Sequence, residues 1–368
     1  MMVYQTRITK LAKAMGLQGI WTVAISAGPI LEYFSGLCFH VSERPAVLIV
    51  NADESQALIF PKFEQEKAEQ AFVKMQLFPY EEDPHSMIQA FQDALHHLKV
   101  DHPIGIDPQS FRFLEIDYMQ QARKKTIFVS AADLFEQIFI CKDEDEIDAI
   151  KKAVVIAESA LKKTLENFSE NISEKDLANR LVINLLSYGS DPLIPFAPII
   201  ASGPNSANPH AIASERQIKK GDLLIIDWGA RFNGYVSDIT RTFAVGQVES
   251  KLLEIAKIVM EANQLARDAI KAGVKASEID AAARNHISKN GYGDNFLHRT
   301  GHGIGLKEHE APFISQASKT TIQNGMSFTI EPGIYIAGLG GVRIEDDVVA
   351  TGPGVKTLTT LTREIIHF

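Results

Sequence analysis

The sequence predicts an α/β domain followed by an α+β domain with an internal pseudo-twofold repeat. Three observations carry that prediction. The chain has 368 residues, enough for two separate hydrophobic cores. Residues 1–130 alternate short helical and strand patterns. Residues 131–368 contain a series of short segments that occurs twice at one constant spacing.

Taken in order, the opening stretch Met1 to Lys10 reads as an amphipathic helix, without the unbroken apolar core of a signal peptide. Ala46 to Val50 and Ala57 to Phe60 are apolar runs of strand length. Phe63 to Val73 and Ser86 to Leu98 carry helical spacing. The charged stretch Lys142-Asp-Glu-Asp-Glu146 precedes Ile147, Ile150, Val154, Ala157 and Leu161. Those apolar residues fall on one helical face, so a helix opens here. Its first turn holds acids that suit the helix dipole, and its charged start reads as solvated. The domain break falls within 125–142 and is set at 130/131.

The repeat follows. Ser173-Glu-Lys-Asp-Leu-Ala178 recurs as Ser277-Glu-Ile-Asp-Ala-Ala282, and Tyr188-Gly189 as Tyr292-Gly293. Gly221-Asp-Leu-Leu-Ile-Ile-Asp227-Trp-Gly229 recurs as Gly325-Met-Ser-Phe-Thr-Ile-Glu331-Pro-Gly333. Gly234 and Asp238 then align with Gly341 and Glu345 at a slightly longer spacing. Each half reads as helix, helix and β-hairpin. The first hairpin turns at Asn233-Gly234, a strong turn signal, and the second within Gly338 to Gly341.

Composition narrows the function. The net charge of −9 argues against a general polyanion binder such as a nucleic-acid protein. No apolar run reaches transmembrane length. Cys38 and Cys141 are the only cysteines, so no disulfide framework exists, and a cytoplasmic location is expected.

The repeat places Asp227 opposite Glu331 and Asp238 opposite Glu345. Acids are disfavoured in strands, yet Asp227 and Glu331 end apolar runs. Buried carboxylates without partners are costly, and four together repel one another unless cations sit between them. A histidine, His302, lies in His298-Arg-Thr-Gly-His302-Gly-Ile-Gly305. Four carboxylates and one imidazole suit a pair of divalent ions, which activate water at neutral pH. Hydrolysis is the expected chemistry. The glycines of Gly301 to Gly305 lack the spacing of a nucleotide loop and are expected to let the backbone pass close to the metals.

These residues resemble those of the pita-bread metallopeptidases, in particular the prolidase and aminopeptidase P branch. The resemblance rests on His298-x-x-x-His302-Gly-Ile-Gly-x-x-x-His309-Glu310, Glu331-Pro-Gly-Ile-Tyr and Gly341-Val-Arg-Ile-Glu345-Asp. It implies a creatinase/prolidase-type N-terminal domain over 1–130 and a catalytic pita-bread domain over 131–368. It implies two divalent ions, Mn2+ by preference, with Co2+, Zn2+ or Fe2+ as alternatives. By the family pattern Asp227 binds one ion, Asp238 and Glu345 bridge, and His302 and Glu331 complete the second. Glu331 also serves as general base. His210, His298 and His309 match positions that orient substrate and stabilise the intermediate. Arg343 steadies the acids or the substrate end, with a structural ion pair as the equal alternative.

The resemblance further implies a small proline-containing peptide as substrate, cleavage of the Xaa-Pro bond and a homodimer. A dipeptidase is the leading reading, and an aminopeptidase acting on longer peptides is the alternative. A non-peptidase metal enzyme and a non-catalytic binding relative rank below both. A dipeptidase must recognise a free carboxylate. Ala311-Pro312-Phe313 follows His309-Glu310, and no arginine lies between His309 and Glu331. The remaining candidates for that role are His298, Arg299 and Arg343. The loop Cys38 to Arg44 is a candidate lid, with a plain surface loop as its alternative.

Overall fold

In the first half of the chain, short apolar runs pair into a single sheet because each must cover an apolar face. The computed structural model describes residues 2–166 and 168–368, which divide into two units, Met1–Phe139 and Ile140–Phe368. The first unit runs α1 (Met2–Gln18), β1 (Thr22–Ser26), α2 (Pro29–Ser35), β2 (Val47–Asn51), β3 (Gln56–Pro61) and α3 (Gln65–Ala68). It continues with β4 (Gln76–Tyr80), α4 (Pro84–His97), β5 (Ile104–Ile106), α5 (Phe113–Ala122), β6 (Phe128–Ser130) and α6 (Ala132–Phe139). Its sheet has the order β4-β3-β2-β1-β5-β6, antiparallel from β1 to β3 and parallel elsewhere. Every residue of β2 and β3 is buried, and α4 and α5 pack on the face that carries Val47, Ile49, Ala57 and Ile59. Asp83 caps α4 by accepting from the backbone N–H groups of His85 and Ser86.

Two expectations change here. The helix expected over Phe63 to Val73 is a short 3-10 turn followed by the four residues of α3. Phe63 and Phe72 are exposed, and a helix with so little buried face has no tertiary support. The first unit also extends to Phe139, inside the expected window of 125–142 but past the break set at 130/131. The α6 helix closes onto it: Lys10 donates to the Ile138 carbonyl at 2.8 Å, and Phe139 meets Tyr33 edge to face.

The second unit begins with α7 (Glu144–Leu165), α8 (Glu174–Ser187), β7 (Ile199–Ser202), β8 (Leu223–Trp228), β9 (Arg231–Phe232), β10 (Tyr235–Val236) and β11 (Ile239–Ala244). The second half of the repeat supplies α9 (Ser250–Asp268), α10 (Ala276–Lys289), β12 (Gly301–Gly303), β13 (Glu310–Ile314) and β14 (Ser327–Ile330). After it come β15 (Gly333–Ile336), β16 (Gly340–Arg343), β17 (Asp346–Ala350), β18 (Val355–Thr357) and β19 (Ile366–His367). Two sheets form, β19-β11-β8-β7 and β13-β12-β14-β17-β18, with β9-β10 and β15-β16 as two-stranded ribbons. The helix-helix-hairpin order is present in both halves, and each half adds strands ahead of the hairpin. Asn233 and Gly234 both have positive φ, as the two-residue turn between β9 and β10 requires. The α9–α10 pair packs Ile255, Val259, Ile279 and Ala283 in one core with Phe328 and Ile330 of β14.

The start of α7 is not simply solvated. Asp143 and Glu146 form a reciprocal capping box, and Glu144 and Asp145 are exposed. Lys142 and Glu146, however, are buried. Lys142 pairs with Glu310, and the Tyr235 hydroxyl donates to Glu146 at 2.8 Å. These partners lie far away in sequence, which is why the charge run alone suggested water. Among the described residues no helix is long and apolar enough to cross a membrane.

Candidate metal centre

Strand pairing brings the four acids to one place. Asp227 lies on β8, and Asp238 directly precedes β11; these strands pair, with Asp227 opposite Thr240. Glu331 directly follows β14, and Glu345 directly precedes β17, its antiparallel neighbour. Hydrogen bonds then join the two halves of the repeat. The Glu345 N–H donates to the Thr240 carbonyl at 3.0 Å, and the Thr240 hydroxyl donates to Glu345 Oε2 at 2.7 Å. The Asp238 N–H donates to Asp347 Oδ2 at 3.0 Å. His302 enters from β12. Gly301 and Gly303 are needed there because a Cβ on either would strike the carbonyl oxygen of Thr329 or Ala311. These two glycines thus answer to the close approach of neighbouring strands.

Potential ligand atoms gather in three groups, each spanning no more than 4.8 Å: Asp227, Asp238 and Glu345; His302, Glu331 and Glu345; and Asp238, His302 and His309. Glu345 belongs to the first two. The five expected ligands are therefore together, and His309 stands close enough to join them.

The electrostatics of the cluster call for cations. Burial raises Asp238 well above the usual carboxylate range, and Glu345 and Asp227 push it further. Burial raises Glu345 likewise, reinforced by Glu331 and Asp227. Burial also lifts Glu331 to about 7. Asp227 Oδ1 is buried without a hydrogen-bond partner. Burial, then the neighbouring His309, hold His302 well below the normal imidazole value. Its Nδ1 sits 3.2 Å from the Gly303 carbonyl, which can only accept, so Nδ1 carries the proton. Nε2 then presents a lone pair, 3.5 Å from Glu331 Oε1 and 3.6 Å from Asp238 Oδ2. Hard oxygens, one imidazole nitrogen and an orphaned carboxylate oxygen fit a pair of divalent ions.

The other expected residues border the same cleft. Arg343 is buried and donates to Asp227 Oδ2 at 2.6 Å, to the Tyr335 hydroxyl at 2.8 Å and to Thr240 Oγ1 at 3.0 Å. Its partner is thus one of the site acids. His298 donates from Nδ1 to the Arg299 carbonyl at 2.8 Å and accepts at Nε2 from the Tyr335 hydroxyl at 2.9 Å. Burial lowers its pKa to about 4. His210 and His309 are exposed at the cleft, and burial of its ring lowers the His309 pKa. Phe196, Ala197, Ile199 and Pro209 form an apolar wall. Sequence reasoning gave no role to Tyr335, although its place two residues after Glu331-Pro-Gly was a signal. It also passed over Glu308, whose carboxyl lines the cleft and is raised by burial.

Comparison with known proteins agrees with this arrangement. Residues 148–352 match metallopeptidase family M24. The chain belongs to that family. Residues 7–138 match the creatinase/prolidase N-terminal domain, so this M24 metallopeptidase carries the two-part architecture of the prolidase branch. It is 38% identical to the Xaa-Pro dipeptidase of Pyrococcus furiosus, over 98% of this chain and 99% of that one. The dipeptidase structure from Pyrococcus horikoshii superposes with a TM-score of 0.92 at 36% identity, covering 98% of this chain and 100% of the other. The X-Pro aminopeptidase of Thermotoga maritima superposes with a TM-score of 0.86 at 30% identity, covering 98% and 99%. M24 peptidases of this architecture thus include both specificities, and fold alone does not separate them.

Proposed function

We propose that this M24 metallopeptidase is an Xaa-Pro dipeptidase that hydrolyses the bond before a C-terminal proline with two divalent ions. The observation that carries the reading is the convergence of Asp227, Asp238, His302, Glu331 and Glu345 in a chain alike, end to end, to a protein named Xaa-Pro dipeptidase. Asp227, Asp238 and Glu345 would hold one ion. His302, Glu331 and Glu345 would hold the other. Mn2+ is the proposed native metal, because carboxylate-rich sites suit it; Co2+, Zn2+ and Fe2+ fit the same donors. We also assign the protein to the cytoplasm and to a homodimeric state.

When bound, the ions supply Lewis-acid activation of the attacking water and the scissile carbonyl. The side chains do the rest. Glu331 accepts the water's proton at Oε2, the oxygen turned towards His298 rather than His302. It then passes that proton to the departing proline nitrogen. His210 and His309 offer ring N–H groups to the carbonyl oxygen as negative charge develops. The chain Arg343 to Tyr335 to His298 fixes the ring beside Glu331. The apolar wall at Phe196 to Ile199 shields the reacting bond from bulk water.

The aminopeptidase reading is kept as second because Phe313 occupies the segment after His309-Glu310, where an arginine would serve a dipeptidase. One assay separates the two. The protein is stripped of metal, reloaded with Mn2+, and offered an Xaa-Pro dipeptide, an Xaa-Pro-Xaa tripeptide and a dipeptide without proline. Cleavage of the first alone is expected. Cleavage of the tripeptide alone rejects the dipeptidase reading, and full activity without metal rejects the mechanism.

A further inference from the structure

A dipeptidase must hold a free carboxylate beside the scissile bond, and the three candidates for that role, Arg343, His298 and Arg299, all border this cleft. Arg343 is committed elsewhere. Its guanidinium donates to Asp227, Tyr335, Thr240 and the Pro209 carbonyl. Both ring nitrogens of His298 are engaged, one with the Arg299 carbonyl and one with Tyr335. The guanidinium of Arg299 differs. It is half-buried, lines the cleft, and makes no hydrogen bond or ion pair with any described residue. It lies over the Phe313 ring, 4.7 Å from the centroid.

On the basis of the dipeptidase reading above, we propose that Arg299, laid on Phe313, is the group that binds the free carboxylate of the substrate's C-terminal residue. The guanidinium fork offers two parallel N–H donors to a carboxylate, and stacking on an aromatic face removes rotamers before substrate arrives. Burial already penalises its charge, so an arriving anion meets a cation that has lost part of its water. Phe313, which stands where an arginine would otherwise be expected, becomes the platform for an arginine that reaches the same cleft from a different strand connection. Glu308, across the lining, repels a carboxylate placed anywhere nearer to it and so narrows the pose.

The test compares an Xaa-Pro dipeptide with its C-terminal amide, on Mn2+-loaded wild type and on Arg299→Ala, Arg299→Lys and Phe313→Ala. Wild type should prefer the free acid. Arg299→Ala should lower kcat/KM for the acid roughly 30-fold, mostly through KM, as expected for loss of a charged hydrogen-bond pair. The amide should be cleaved equally by wild type and Arg299→Ala, with metal content unchanged. Arg299→Lys should recover part of the acid preference, and Phe313→Ala should weaken it. An Arg299→Ala variant that loses acid and amide activity alike, or neither, overturns the proposal while leaving the dipeptidase reading intact. Wild type that cleaves the amide but not the acid overturns both.

Discussion

Arg343 donates to Asp227 from a fully buried position, so its removal strands a carboxylate among other carboxylates. Breaking one side of a buried pair costs about 3–5 kcal/mol. Arg343→Ala is therefore expected to shift the urea unfolding midpoint of the metal-free protein sharply downward, and an unchanged midpoint would refute the structural role. Tyr335 sits between Arg343 and His298, accepting from one and donating to the other. Tyr335→Phe removes both bonds and leaves His298 free to turn away from Glu331. Its kcat should fall about tenfold, consistent with roughly 1–2 kcal/mol of lost positioning, while bound metal stays constant. A variant that loses metal instead would place Tyr335 in metal retention. At this scale the sequence showed which acids converge, because the repeat aligned them in pairs. It did not show the partners of Arg343, since Asp227 and Tyr335 approach it from other strands.

The elements explain why the pairs converge. The apolar runs before Asp227 and Glu331 become central strands, β8 and β14, and their partners β11 and β17 start just after Asp238 and Glu345. Hairpins and helices with a continuous apolar face were legible for that reason. The Phe63–Val73 segment was misread because spacing alone does not reveal whether a neighbour exists to cover the face. Lys142 and Glu146 were misread as solvated for the opposite reason: their partners Glu310 and Tyr235 are distant in the chain. The glycines of β12 give an element-scale test. A Cβ on Gly301 would meet the Thr329 backbone oxygen, which cannot yield as a side chain would. Gly301→Ala should push β12 from β14, destabilise the protein by about 1–3 kcal/mol and weaken Mn2+ binding through His302. Gly352→Ala, with nothing near the added methyl, is the control and should leave both unchanged. Equal behaviour of the two variants in a thermal melt and a metal titration would reject the packing argument.

At the scale of the whole chain, the candidate metal-binding clusters found among the described residues draw only on the unit Ile140–Phe368. That unit closes two halves of a repeat over acids that burial and mutual repulsion keep from ionising freely. Folding it without metal therefore brings these acids together at a cost, and metal binding and folding are expected to be linked. A ligand that binds only the folded state adds about 2.7 kcal/mol of stability at one hundred times its Kd. The stabilisation should be local, because the residues proposed to hold metal lie on or beside β8, β11, β12, β14 and β17. Hydrogen exchange on the full chain, metal-free and then with Mn2+, should show slower exchange in peptides spanning 223–244 and 301–350. Peptides from 2–139 should exchange at the same rate in both conditions. A uniform slowing over the chain would mean that both units unfold as one cooperative block. No slowing in 223–244 would mean that the carboxylate pair Asp227 and Asp238 does not hold metal. The contrast between those two outcomes separates a cooperative fold from a misplaced metal centre, with no reliance on enzymatic activity.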